Sequence, residues 1–234
     1  MIKLTYITIM LSSIYLSCSQ QKNTENHMKD QELTYLALGD SYTIGEGVEE
    51  VGRYPNQTVE LVKKSGLKFR KPTIIAKTGW TTDELITGIN AADIENNTYD
   101  LVTLLIGVNN QYRGRDIENY RKEFEDLLRK SIKFAKGNTN HVVVISIPDW
   151  GVTPFASERG SDHEKVKNSI DLFNQVNEKI SKNLGAHYIN ITDRYREIGA
   201  LPEMVVEDKL HPSLLVYEEW AKEIAKIIAQ KMEF

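Results

Sequence analysis

Leu101-Val102-Thr103-Leu104-Leu105-Ile106 is an almost unbroken apolar run, and Val142-Val143-Val144-Ile145-Ser146-Ile147 repeats the pattern. A strand with one wet face alternates apolar and polar residues. A run that is apolar throughout marks a strand covered on both faces, as in a parallel sheet between helices. Working outward, three further apolar runs extend the set, giving expected strands at 34–38, 73–76, 101–106, 142–147 and 187–190. Helical patterns lie between them: 55–64 with Pro55 near its first turn, and a helix opened by Thr82 with Asp83 and Glu84 where acids complement the dipole. Two longer ones follow, 116–136 ending at Gly137 and 163–184 ending at Gly185. From Ser213 onward, Leu214, Tyr217, Trp220, Ile224 and Ile227 form a stripe at helical spacing, which reads as core packing. Strands alternating with helices predict one α/β domain with a parallel sheet and right-handed crossovers.

The chain's 234 residues are enough for a full core, and 41% hydrophobic with 26% charged residues is ordinary globular composition. A formal charge of -4 without a basic run argues against nucleic acid as a partner. Only one cysteine, Cys18, is present, so no intramolecular disulfide can form.

Ahead of the first strand, Lys3 is the only charge before the apolar stretch 4–16, which is short for a membrane span. Ser17 then precedes Cys18 and a polar segment. This resembles the signal peptide and lipobox of bacterial lipoproteins, although Tyr15 stands where a small aliphatic residue is commoner. The expectation is a signal peptide at 1–17, lipidation at Cys18, a flexible tether at 18–31 and a domain at 32–234. An exported protein attached to a membrane through Cys18 follows from that reading.

The first strand runs directly into Gly39-Asp40-Ser41-Tyr42. Ligands of open α/β sheets sit outside the carboxyl ends of the strands, so Ser41 stands where a nucleophile would be useful. A serine hydroxyl needs a base to take its proton, and histidine serves near neutral pH when a carboxylate fixes its tautomer. Asp208-Lys209-Leu210-His211 supplies both groups on one short turn, and Pro212 favours an extended His211.

With these residues in view, the chain resembles the SGNH/GDSL hydrolase family. Gly39-Asp40-Ser41-Tyr42 is similar to its serine block, Gly79 in Lys77-Thr78-Gly79-Trp80 to its glycine block, and Asn109 in Gly107-Val108-Asn109-Asn110 to its asparagine block. Asp208 and His211 match the final Asp-x-x-His, and the likeness runs from about Tyr35 to about Tyr217. The resemblance implies a three-layer α/β/α sandwich with a five-stranded parallel sheet in flavodoxin-like order. It also implies a serine esterase with Ser41, Asp208 and His211 as triad, no cofactor and no metal. The oxyanion donors it implies are the Ser41 N–H, the Gly79 N–H and the Asn109 amide. Asn110 stands where the family often has aspartate, so altered loop hydrogen bonding is expected there. Asp40 is expected to be structural, its side chain turned away from the nucleophile.

Trp80, Tyr112, Trp150 and Phe155 fall on loops at the expected catalytic edge and could line a substrate pocket. For any one of them, anchoring its own loop is the simpler reading. Arg113 and Arg115 read as a solvated turn in preference to an anion contact. The substrate expected is an ester of a small acyl group. The alternatives are a lysophospholipase or thioesterase type of acylhydrolase, a carbohydrate O-acetylesterase, and a surface binding lipoprotein on an inactive hydrolase fold. Segment 148–162 gives no regular pattern. Gly45-Glu46-Gly47 lacks the third glycine of a dinucleotide loop, since Glu50 stands in its place.

Overall fold

The computed structural model describes residues 32–234. The expectations at 1–31 (signal peptide, Cys18 and tether) lie outside the described residues. The elements follow in the order β1 (Tyr35–Gly39), α1 (Ser41–Ile44), α2 (Tyr54–Lys63), β2 (Thr73–Ala76), α3 (Thr82–Ala91), β3 (Leu101–Leu105), α4 (Val108–Tyr112) and α5 (Ile117–Phe134). They continue with β4 (Val142–Ile145), α6 (Pro154–Glu158), α7 (His163–Leu184), β5 (His187–Ile189), α8 (Thr192–Ile198) and α9 (Leu214–Lys231).

The five strands are all parallel in the order β2-β1-β3-β4-β5, the flavodoxin-like arrangement. Helices α3, α5 and α7 pack side by side on one face, and α2 packs against α9 on the other. This is the α/β sandwich expected. Every residue of β1, β3 and β4 is buried, as their nearly continuous apolar patterns require. Each fully buried leucine contributes about 1.5–3 kcal/mol. The one polar residue of β3 is accounted for: the Thr103 hydroxyl lies 3.0 Å from the Tyr35 hydroxyl and 3.3 Å from that of Tyr54.

Two strands end earlier than their apolar runs. Beyond Ile145, Ile147 leaves the sheet because the Asn174 side chain replaces a ladder partner, accepting from the Ile147 N–H at 2.7 Å and donating to its carbonyl at 3.0 Å. Helix ends follow their caps. Asp116 accepts from Glu118 and Asn119 amides at the start of α5, and Gly185 closes α7 in the left-handed conformation. Four short helices, α1, α4, α6 and α8, have no counterpart in the sequence expectations.

Register places the site. Gly39 pairs with both Ala76 and Leu105, so β1, β2 and β3 end level. The segments that follow them, carrying Ser41, Gly79 and Asn109, therefore leave the sheet at one edge.

Candidate active site

The turn from β1 into α1 is set by a packing constraint. A Cβ on Gly39 would sit 2.1 Å from the Thr43 hydroxyl and 2.4 Å from the Leu105 carbonyl, so no other residue fits. Asp40 caps α1 by accepting from the Tyr42 N–H at 3.0 Å, which turns its carboxylate away from Ser41 into the core. Burial pushes this carboxyl up to about 7, against the opposing pull of the Tyr42 amide. Its Oδ2 has no hydrogen-bond partner. Ser41 is thus the first residue of a four-residue helix, closed by Gly45 at φ 71. The Tyr42 ring behind it packs between His211, 5.5 Å away, and Trp220 at 6.4 Å.

Gly79 lies in a turn in which the Trp80 N–H donates to the Lys77 carbonyl at 3.1 Å. Its φ of +86 belongs to the third position of a type II turn, where glycine avoids the steric cost of a side chain. The Asn109 side chain donates through Nδ2 to the Trp80 carbonyl at 3.0 Å, tying α4 to this turn. Asn110 does what its departure from aspartate suggested. Its Oδ1 accepts from the Thr82 N–H at 3.1 Å and its Nδ2 donates to the Thr82 hydroxyl at 2.7 Å. That hydroxyl in turn donates to Glu123. An aspartate would offer no donor, and the hydroxyl would then face two carboxylates.

Arg113 and Arg115 lie on an exposed turn, as expected, but both are paired within the protein. Arg113 Nη2 donates to the Gly79 carbonyl at 2.6 Å while Nη1 meets Glu84 at 3.3 Å, and Arg115 pairs with Asp83 at 3.1 Å.

Asp208 and His211 sit where the chain returns to α9. The Asp208 carboxylate takes the Leu210 and His211 amides on Oδ1 at 2.8 and 2.9 Å, and His211 Nδ1 on Oδ2 at 2.5 Å. Burial would raise this carboxyl, but the imidazole and the two amides outweigh it and hold it below the usual range. With Nδ1 engaged, Nε2 is the nitrogen left for proton transfer. Helix α6 docks on the same turn: the Phe155 N–H donates to the Lys209 carbonyl at 3.0 Å, and Glu158 pairs with Lys209 at 2.5 Å.

These pieces meet in one cavity of about 200 Å³, lined by Ser41, Gly79, Asn109 and His211 together with Tyr112, Trp150 and Phe155. The Trp150 ring is fixed by its Nε1–H donating to Gln111 at 2.8 Å and by edge contacts to Tyr112 and Phe155. Trp80 is the exception among the expected pocket aromatics. It does not line the cavity but lies over α3, where a Cβ on Gly88 would meet its ring at 2.1 Å. A larger cleft of about 520 Å³ between β5 and α9 contains none of these groups and is edged by the Arg194–Glu219 ion pair. Among the described residues, no three His, Cys, Asp or Glu side chains converge as a metal-binding group, and no helix is long and apolar enough to cross a membrane.

Sequence reading missed Arg196. On α8, it pairs with Asp149 at 2.8 Å and Asp171 at 2.7 Å, anchoring the start of the segment that carries Trp150 and Phe155.

Residues 37–218 match the model of the GDSL-like lipase/acylhydrolase family, a span that includes every residue of the cavity just described. The chain belongs to that family. Among curated proteins, none matches this family member in sequence. Solved structures share its fold. A lipase/acylhydrolase from Enterococcus faecalis is 18% identical with a TM-score of 0.65, covering 86% of this chain and 100% of its own. A psychrotrophic esterase from Pseudoalteromonas sp. is 17% identical with a TM-score of 0.64, covering 85% and 100%. An acetylxylan esterase from Geobacillus stearothermophilus is 18% identical with a TM-score of 0.65, covering 84% and 94%.

Proposed function

We propose that this GDSL-family chain is a serine esterase that cleaves carboxylic esters of small acyl groups through a Ser41 acyl-enzyme. His211 Nε2 takes the proton as Ser41 Oγ attacks the ester carbonyl carbon, and Asp208 stabilises the imidazolium. The oxyanion is held by the Ser41 and Gly79 N–H groups and by the second N–H of the Asn109 amide. The tetrahedral adduct collapses, its C–O bond breaks, and His211 returns the proton to the departing alkoxide. A water molecule, deprotonated by the same imidazole, then attacks the acyl carbon; the bond to Ser41 Oγ breaks, His211 returns the proton to that oxygen, and the carboxylic acid leaves.

The single observation that supports this most is the convergence of Ser41, Gly79, Asn109 and His211 on one cavity, with Asp208 holding the far side of the imidazole. The cavity, about 200 Å³ and walled by Tyr112, Trp150 and Phe155, is small, which supports esters of small acyl groups. A second reading, carbohydrate O-acetyl cleavage, is favoured by the fold shared with an acetylxylan esterase and by Tyr112 standing 58% exposed at the cavity rim. The proposal extends to location: export and membrane attachment through lipidated Cys18.

Hydrolysis of p-nitrophenyl acetate by wild type and Ser41→Ala tests the reading, followed by an acyl series to decanoate beside an acetylated-sugar panel. Ser41→Ala should be at background and wild-type activity should fall as the acyl chain lengthens. Equal rates for the two proteins would refute the mechanism, and a preference for decanoate would refute the small-acyl assignment.

A further inference from the structure

We infer that Arg113 is a positioning residue that holds the Gly79 turn in place for the oxyanion. The inference rests on the reading of Gly79 as an oxyanion donor. A glycine at φ +86 has no side chain to anchor it, so its peptide planes need outside support. Two successive carbonyls of this turn are held from one helix. Asn109 Nδ2 grips the Trp80 carbonyl at 3.0 Å, and Arg113 Nη2 grips the Gly79 carbonyl at 2.6 Å. Residues 109 and 113 are four apart, so α4 and its C-cap present both donors on one face.

The guanidinium is itself aimed. Its Nη1 meets Glu84 at 3.3 Å, and the same carboxylate accepts the Thr81 N–H at 2.9 Å, locking the far end of the turn to the start of α3. Arg113 thus bridges a carbonyl and a carboxylate with two nitrogens of one planar fork, which a lysine ammonium cannot reproduce. Arg113 is not among the residues lining the cavity, so it acts on the substrate only through Gly79. Its side chain is 42% exposed and bonds only to the turn and to α3, so little of the fold's stability depends on it.

The test is steady-state kinetics on p-nitrophenyl acetate for the whole chain and for Arg113→Ala and Arg113→Lys, with Asn109→Ala and Ser41→Ala as controls. Displacements of about an ångström near reacting atoms cost up to about a hundredfold. Arg113→Ala should lose tenfold or more in kcat, with KM within twofold and an unchanged thermal midpoint. Millimolar guanidinium chloride should restore part of that kcat and leave wild type unaffected, and Arg113→Lys should fall between the two. Wild-type kcat in Arg113→Ala beside a hundredfold loss in Asn109→Ala would overturn the inference while leaving the active-site reading standing. A kcat loss accompanied by a lowered midpoint and no guanidinium response would also overturn it. Retained activity in Ser41→Ala and Asn109→Ala would instead remove the reading on which it rests.

Discussion

Replacing Asp40 by asparagine is expected to change how the protein's stability depends on pH, by an amount the structure sets. The carboxyl is fully buried, and burial moves it from 3.8 to about 7 despite the amide of Tyr42. Between those values the folded state keeps a proton that the unfolded chain has lost. Stability therefore falls as pH rises through the window, being greatest below 3.8 and fully reduced above about 7. Over roughly three pH units at about 1.4 kcal/mol each, ionisation of Asp40 costs about 4 kcal/mol. Asparagine keeps the acceptor for the Tyr42 N–H but cannot ionise. Urea unfolding of both proteins at intervals from pH 4 to pH 8 isolates the difference, since all other groups titrate alike in the two. Relative to wild type, Asp40→Asn should gain about 4 kcal/mol from the acid to the neutral end. Curves that stay parallel within about 1 kcal/mol would refute the argument that burial keeps this carboxyl protonated.

Three further outcomes can be checked directly. Arg196→Met leaves Asp149, 1% exposed, without its cation, and should lower unfolding stability by about 3–5 kcal/mol in urea titration. Gly39→Ala forces a methyl against the Leu105 carbonyl and the Thr43 hydroxyl, so it should lose more than the 1–3 kcal/mol typical of overpacking, read as a lowered thermal midpoint or absent soluble protein. Asp208→Asn keeps both amide acceptors on the turn but presents an amino group to His211 Nδ1. It should cut kcat on p-nitrophenyl acetate by about a thousandfold or more, with circular dichroism unchanged.

Most of the sheet was legible because two runs were apolar at all but one position each, and a pattern without period, bounded by turn signals, suits a short buried strand. The residues proposed as nucleophile, base and oxyanion donors could be picked out because each sits just past a strand or on one turn, and the structure brings Ser41, Gly79, Asn109 and His211 to one cavity. What escaped was either too short or too distant. Helices α1, α4, α6 and α8 span four, five, five and seven residues, fewer than a periodic pattern needs. One of them did carry a signal: Thr153 before Pro154 is a cap followed by a first-turn proline. The Arg196 pairs join residues 47 and 25 positions apart, and Arg113 reaches a carbonyl 34 positions away. Such contacts depend on the finished fold. Trp80 was misplaced for a similar reason, since a loop aromatic turns towards whichever neighbour leaves room, here Gly88.

The tie between α6 and the turn bearing the imidazole has an implication for how such a protein could be retuned. Phe155 lines the cavity, yet its backbone is fastened to the residue between Asp208 and Leu210. Resizing the phenyl ring alters only what fits. Lengthening the segment around it pulls on the turn of His211 as well, so under the proposed mechanism substrate fit and turnover are mechanically geared together. Variants that broaden the substrate range by loop insertion should therefore arrive slow, and recover speed only after the Lys209 anchorage is rebuilt.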